Sequence, residues 1–334
     1  MKSWKYLILL FLGVNLFQSC SEDAKEEPFD YSAAPFSVSS DVKFVNNLAY
    51  DSNDFTTLDA FLPSSTTPSG MVIFIHGGGF SLGTKEDIYD ESDGQDLINT
   101  LLENNIAFVT IDYRLLENGD TSGVIKSMSD SRRALQYIRS RADDFNINKE
   151  DIVLAGISAG AGTSLWIGFN DDMQMPNASD LVLRESTRVK GIAAIETQAT
   201  YDLEKWTDVV FKEWNLSFGL FLATQGSLIA QFYGLSDISE YNNEATTTYR
   251  QSVDMLDLMT IDDPEFYVQN TSQPLEYSFD LNLIYHHAYH ARTLKEKADA
   301  IGVKNVAYYG PGATTFSDPS NESLVDFIIR KIEE

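Results

Sequence analysis

The segment 151–162, DIVLAGISAGAG, constrains the fold more tightly than any other stretch of the chain. An apolar strand-like run passes straight into Gly156-Ile157-Ser158-Ala159-Gly160. The G-x-S-x-G pattern puts a serine on a sharp strand-to-helix turn. Such a turn strains the serine backbone, and a glycine on each side removes the Cβ atoms that would crowd it. A serine hydroxyl is a weak nucleophile unless a base takes its proton. The chain has four histidines, so the question is which of them serves Ser158.

The surrounding sequence alternates strands and helices. VKFVNNLAYD (42–51) and TTLDAFLP (56–63) read as an opening hairpin. MVIFIHGGGF (71–80) and IAFVTIDYRL (106–115) are continuous apolar runs, as is VKGIAAIE (189–196). GVIKSMSDSRRALQYIRSRADDF (123–145) carries apolar residues at helical spacing. Buried strands separated by helices predict an α/β fold with a mostly parallel sheet covered on both faces. Residues 202–270 break the rhythm with many aromatics and are expected to form a helical lid insertion. PLEYSF (274–279), a helix through HHAYHARTLKEKADAIG, a strand at 303–310 and a closing helix complete the pattern.

The formal net charge of -26 argues against nucleic acid, anionic membrane surfaces and acidic substrates, and suits neutral or cationic ones. The start, MKSWKYLILLFLGVNLFQSC, has two lysines, a short apolar run and then a cysteine. It resembles a lipoprotein signal of residues 1–19 with lipidation at Cys20. Phe17 departs from the aliphatic residue usual in that motif. Residues 20–38 read as a flexible tether and 39–334 as the folded domain. The expected location is the cell envelope, on a membrane anchor at the outer membrane or cell surface. Cys20 is the only cysteine, which leaves no disulfide and no cysteine metal site.

HGGGF after one strand, DYRL after the next and GISAG after the third resemble, in order and spacing, the α/β-hydrolase family and its lipase and carbohydrate-esterase branches. The resemblance covers roughly residues 40–333. It implies a serine esterase with Ser158 as nucleophile and an oxyanion hole of Gly77, Gly78 and Ala159, and no cofactor. The physical need is plain: an attacked ester carbonyl becomes an oxyanion and requires preorganised donors. His76 is structural in that family.

The resemblance then fails at the partners of Ser158. Thr315, in PGATTF (311–316), stands where the family has its histidine, and Leu283 where it has its acid. No histidine follows residue 290. His286, His287 and His290 cluster near the carboxyl edge of the expected sheet. On a helix continuing through Ala291, Leu294, Ala298 and Ile301, His287 falls nearest the inward face. His287 is therefore the expected relocated base, with Glu196 as its acid and Asp280 as a second candidate. Two other readings stay open: helix-start histidines with no catalytic role, and a metal pair at His286 and His290, spaced i, i+4. The expected substrates are small-molecule or glycan esters. The alternative is a catalytically impaired hydrolase-fold binding protein.

Overall fold

The computed structural model describes residues 28–278 and 280–334. Residues 1–19, expected to be a signal, and Cys20 lie outside them. Residues 31–334 form one compact unit. The folded unit therefore begins before residue 39, where the sequence suggested. Tyr31 and Ser32 pair with Val45 and Phe44, and the Phe36 ring packs 5.3 Å from that of Phe61.

Ten strands make one sheet: β1 (Tyr31–Ser32), β2 (Lys43–Ala49), β3 (Thr57–Leu62), β4 (Ser69–Ile75), β5 (Ile106–Ile111), β6 (Ile147–Ile157), β7 (Gly191–Ile195), β8 (Glu265–Asn270), β9 (Asn305–Tyr309) and β10 (Phe316–Ser317). Their order is β1-β2-β3-β5-β4-β6-β7-β8-β9-β10. The six strands from β5 to β9 are parallel, and the strands at both margins are antiparallel. Strands covered on both faces cannot alternate polar and apolar residues, which is why Met71–Ile75 and Ile106–Val109 read as unbroken apolar runs and are buried throughout.

The covering helices are α1 (Asp87–Asp90), α2 (Ser92–Glu103), α3 (Val124–Ser140), α4 (Ala142–Phe145), α5 (Ala159–Phe169), α6 (Phe218–Tyr233), α7 (Glu244–Ser252), α8 (Met255–Leu258), α9 (Leu281–His286), α10 (Ala288–Ile301) and α11 (Leu324–Glu333). On one face, Ile98 and Leu101 of α2 and Phe327 and Ile328 of α11 join Val72, Phe74, Val153, Ala155 and Ala193 in a single core cluster. On the other, α5 approaches β7 so closely that a Cβ on Gly168 would lie 2.3 Å from Ile192 Cδ1.

One strand differs from the sequence reading. β8 is EFYVQN (265–270), inside the stretch assigned to the insertion, whereas the described residues 274–278 are not a strand. Its single polar-flanked apolar triplet was masked by the aromatics before it. Residues 202–263 hold the helical insertion itself, including a π-helical turn at Trp206–Val210. Among the described residues no helix is long and apolar enough to cross a membrane.

Candidate active site

The parallel register brings four chain segments to one edge. Ile75 of β4 stands beside Gly156, Ile157 of β6 beside Ile195, and Ile195 of β7 beside Gln269. The residues that follow these strands are therefore neighbours: His76 to Gly79, Ser158, Glu196, and Thr271 with Ser272. This is the edge where open α/β sheets bind ligands.

Ser158 leaves β6 with φ 52° and ψ -118° and caps the start of α5. A non-glycine residue held there costs about 1–3 kcal/mol of backbone strain. The turn holds because its surroundings leave no alternative. A Cβ on Gly160 would come within 1.9 Å of the Ile75 carbonyl oxygen, and one on Gly156 within 2.5 Å of the Gly160 carbonyl carbon. Ser158 N–H donates to the Ile195 carbonyl at 2.9 Å, tying the turn to β7.

The HGGG loop packs against this turn. A Cβ on Gly77 would lie 3.4 Å from Ser158 Cβ and 3.1 Å from the Ile157 oxygen, so the main chain at residue 77 packs directly against the Ser158 turn. Gly78 sits at φ +98°, where a Cβ would collide with the Leu82 oxygen at 2.0 Å. The Tyr113 hydroxyl donates to the carbonyls of His76 and Gly77 at 3.0 and 3.1 Å, fixing the loop from below. Ala159 is the first residue of α5, where an N–H has no partner within the helix. Gly77, Gly78 and Ser158 line one cavity of about 850 Å³.

The imidazole nearest Ser158 is one residue from the one the sequence singled out. Ser158 Oγ lies 2.8 Å from Nε2 of His286. The helical count failed because the chain has no continuous helix there: α9 ends at His286, and His287 takes an extended conformation (φ -62°, ψ 143°) before α10 begins. His286 thus belongs to a short helix of its own and faces the cavity. His287 is wholly buried and caps α10, its Nδ1 accepting the Tyr289 N–H at 3.1 Å. It packs edge-on against Trp214, with ring centroids 4.8 Å apart, and burial pushes its pKa down to about 4. His290 is also wholly buried. Its Nδ1 accepts the Ala199 N–H at 3.1 Å and its Nε2 donates to the Ile284 carbonyl at 3.0 Å. Desolvation lowers it to about 3. The metal reading also fails, since the two histidines do not share a helix and no group of three metal-ligating side chains assembles among the described residues.

Neither proposed acid touches a histidine. Glu196 lines the cavity with an unusual φ of 49°. Its Oε1 accepts the N–H groups of Thr271 and Ser272 at 2.8 and 3.0 Å, and its Oε2 accepts the Ser272 hydroxyl at 2.7 Å. Asp280 caps α9 by accepting the Asn282 N–H at 2.9 Å. Thr315 is exposed and packs on Gly310, away from the cavity.

His286 is positioned by other means. Asn270, almost wholly buried at the end of β8, donates from Nδ2 to the Thr197 carbonyl at 2.9 Å and to the carbonyls of His286 and His287 at 3.3 Å each. It pins the break between α9 and α10 to the sheet edge. The His286 ring also makes a backbone hydrogen bond at Asn282, one turn earlier. For Nε2 to receive the hydroxyl proton, the neutral ring must carry its own proton on Nδ1. Burial lowers the His286 pKa below the usual histidine value, while the Glu196 charge and the Asn282 bond oppose that shift. The imidazole is therefore neutral near pH 7, the form a general base requires. A polar residue closing an apolar strand was the only sign of Asn270 in the sequence.

A serine on a strained elbow, an imidazole within hydrogen-bond distance of it and a glycine loop against Ser158 make up the candidate site. The BD-FAE family model matches residues 58–278, and the chain belongs to that family. Solved structures agree on the fold. A truncated form of a carbohydrate esterase from gut microbiota aligns over 92% of this chain and 99% of its own, with a TM-score of 0.63 at 17% identity. Esterase B from Lactobacillus rhamnosis aligns over 89% and 87%, with a TM-score of 0.58 at 16% identity. Among curated relatives, the neuroligin-like protein glit-1 of Caenorhabditis elegans is 24% identical over 184 residues, 53% of this chain and 22% of the relative. The chain spans about a fifth of the length of the curated relatives it matches. The α/β-hydrolase fold expected from the glycine motifs is thus the fold observed.

Proposed function

We propose that this protein is a serine carboxylic ester hydrolase in which His286 is the base. The observation that carries the reading is the 2.8 Å contact between Ser158 Oγ and His286 Nε2. Ser158 attacks the ester carbonyl as His286 takes its proton. The N–H groups of Gly77, Gly78 and Ala159 receive the developing oxyanion. His286 then protonates the leaving alcohol, and water releases the acid from the acyl-enzyme by the reverse proton path. Family membership and the carbohydrate-esterase neighbour support acyl groups on glycans as substrates. The lysine-flanked apolar start and Cys20 support a lipid-anchored protein of the cell envelope.

Hydrolysis of p-nitrophenyl acetate and of an acetylated xylo-oligosaccharide tests this, with parent and Ser158→Ala measured side by side. Turnover of both substrates that vanishes in the variant is the expected result. Equal rates in parent and variant would leave a binding protein on a hydrolase scaffold.

A further inference from the structure

The charge lining the Ser158 cavity has one sign. Asp87, Glu91, Asp93 and Glu196 all border it, and among the described residues no lysine or arginine does. The neutralisation seen elsewhere is missing here. Arg330 meets Glu265, Glu322 and Glu334, and Arg133 meets Asp51 and Asp180. Glu91 and Asp93 are exposed, and neither has an ion-pair partner among the described residues. The nearest lysine in sequence, Lys85, is buried and spent on Asp59, Glu86 and Asp112.

A second, independent feature has the same polarity. His76, 1% exposed in the wall of this cavity, donates from Nδ1 to the Gly77 carbonyl at 2.7 Å. Burial keeps its ring neutral. Its Nε2 is then a lone pair with no donor. A cleft lined by one sign of charge with low-dielectric walls concentrates field and enriches the opposite charge by about 10–10³-fold.

We propose that the carboxylates around Ser158 make this cavity selective for esters that carry a positive charge, with neutral esters next and anionic esters last. The inference rests on the Ser158–His286 reading only for where the reacting carbonyl sits. Asp87 and Glu196 are held by neighbours, through Thr84 and through Thr271 with Ser272. Glu91 and Asp93, at the start of α2, are free to meet an ammonium group.

Three acetate esters of similar size separate the charges: acetylcholine, its uncharged isostere 3,3-dimethylbutyl acetate, and 3-sulfopropyl acetate. At low salt kcat/KM is expected to fall about tenfold from cation to neutral ester and further to the anion, and the spread to collapse near 0.5 M salt as screening sets in. The double variant Glu91→Gln, Asp93→Asn narrows the gap between the first two. Equal kcat/KM for the three esters, with turnover still lost in Ser158→Ala, overturns the charge selectivity and leaves the esterase. If no ester is turned over, the esterase reading falls and binding decides. Choline, 3,3-dimethyl-1-butanol and 3-hydroxypropanesulfonate are titrated by NMR into the Ser158→Ala protein. Tighter, salt-sensitive binding of choline supports the selectivity, and indistinguishable binding of the three overturns it.

Discussion

His286 and His287 are consecutive in the chain and opposite in character. His286 closes α9 and holds Ser158 Oγ at 2.8 Å in the wall of an open cavity. His287 opens α10, wholly buried among Phe211, Trp214 and Tyr289. One extended residue between two helices turns their rings to different surroundings. The same side chain is the proposed base in one place and a helix cap in the other, because a base needs the Ser158 hydroxyl proton within reach and a cap needs a helix-start N–H.

The widest separation between the two is in rate. Ser158→Ala lowers kcat/KM for a short ester by about 10⁴-fold, the scale of losing a nucleophile while the oxyanion donors remain. Adding a second change at His286 in that background costs almost nothing more, since residues acting as a unit are not additive. A further large loss on the second change would separate the two residues.

In stability the order reverses. His287→Ala removes a cap and empties a buried aromatic pocket, at about 2–4 kcal/mol. Urea denaturation should show this, with kcat changed only a few-fold in the folded fraction. The pH dependence follows the same division. The folded His287 pKa, about 4, lies below the unfolded histidine value. Its contribution to stability is therefore complete at neutral pH and is lost as pH falls through 6.5 toward about 4.

A smaller effect sharpens the account of His286. Its neutral form is the active one, so the rate rises with pH through an inflection below the usual histidine value. The Glu196 charge raises that pKa. Glu196→Gln then moves the acid limb of kcat/KM to lower pH, with a loss far short of the 10⁴-fold scale of a missing orienting carboxylate. A loss of that size without a shift in the limb would return Glu196 to the role of a triad acid. The smallest effect is at Thr315, where Thr315→His leaves the rate unchanged because the residue is exposed and outside the cavity.

The fold was legible in the sequence because close approach leaves marks. Gly156, Gly160 and Gly78 stand where any Cβ would meet main-chain atoms at 2.5 Å or less, and β4, β5 and β7 were readable because burial on both faces leaves them almost wholly apolar. The proposed base was only half legible. That it would come from the 286–290 cluster followed from the sheet edge, yet choosing among the three rings needed the helix break at His287. That break depends on Asn270 bonding to the carbonyls of residues 197, 286 and 287. Such a tertiary contact has no local signature. Glu196 was correctly placed at the edge, but its carboxylate accepts three bonds from Thr271 and Ser272.

The central claim is that Ser158 and His286 form the reacting pair. The most direct test compares kcat/KM for p-nitrophenyl acetate in His286→Ala and His287→Ala, each corrected for its folded fraction. The account predicts a loss of about 10³-fold or more for His286→Ala, carried in kcat, and less than tenfold for His287→Ala. Comparable losses in the two variants, or an unimpaired His286→Ala enzyme, would contradict it.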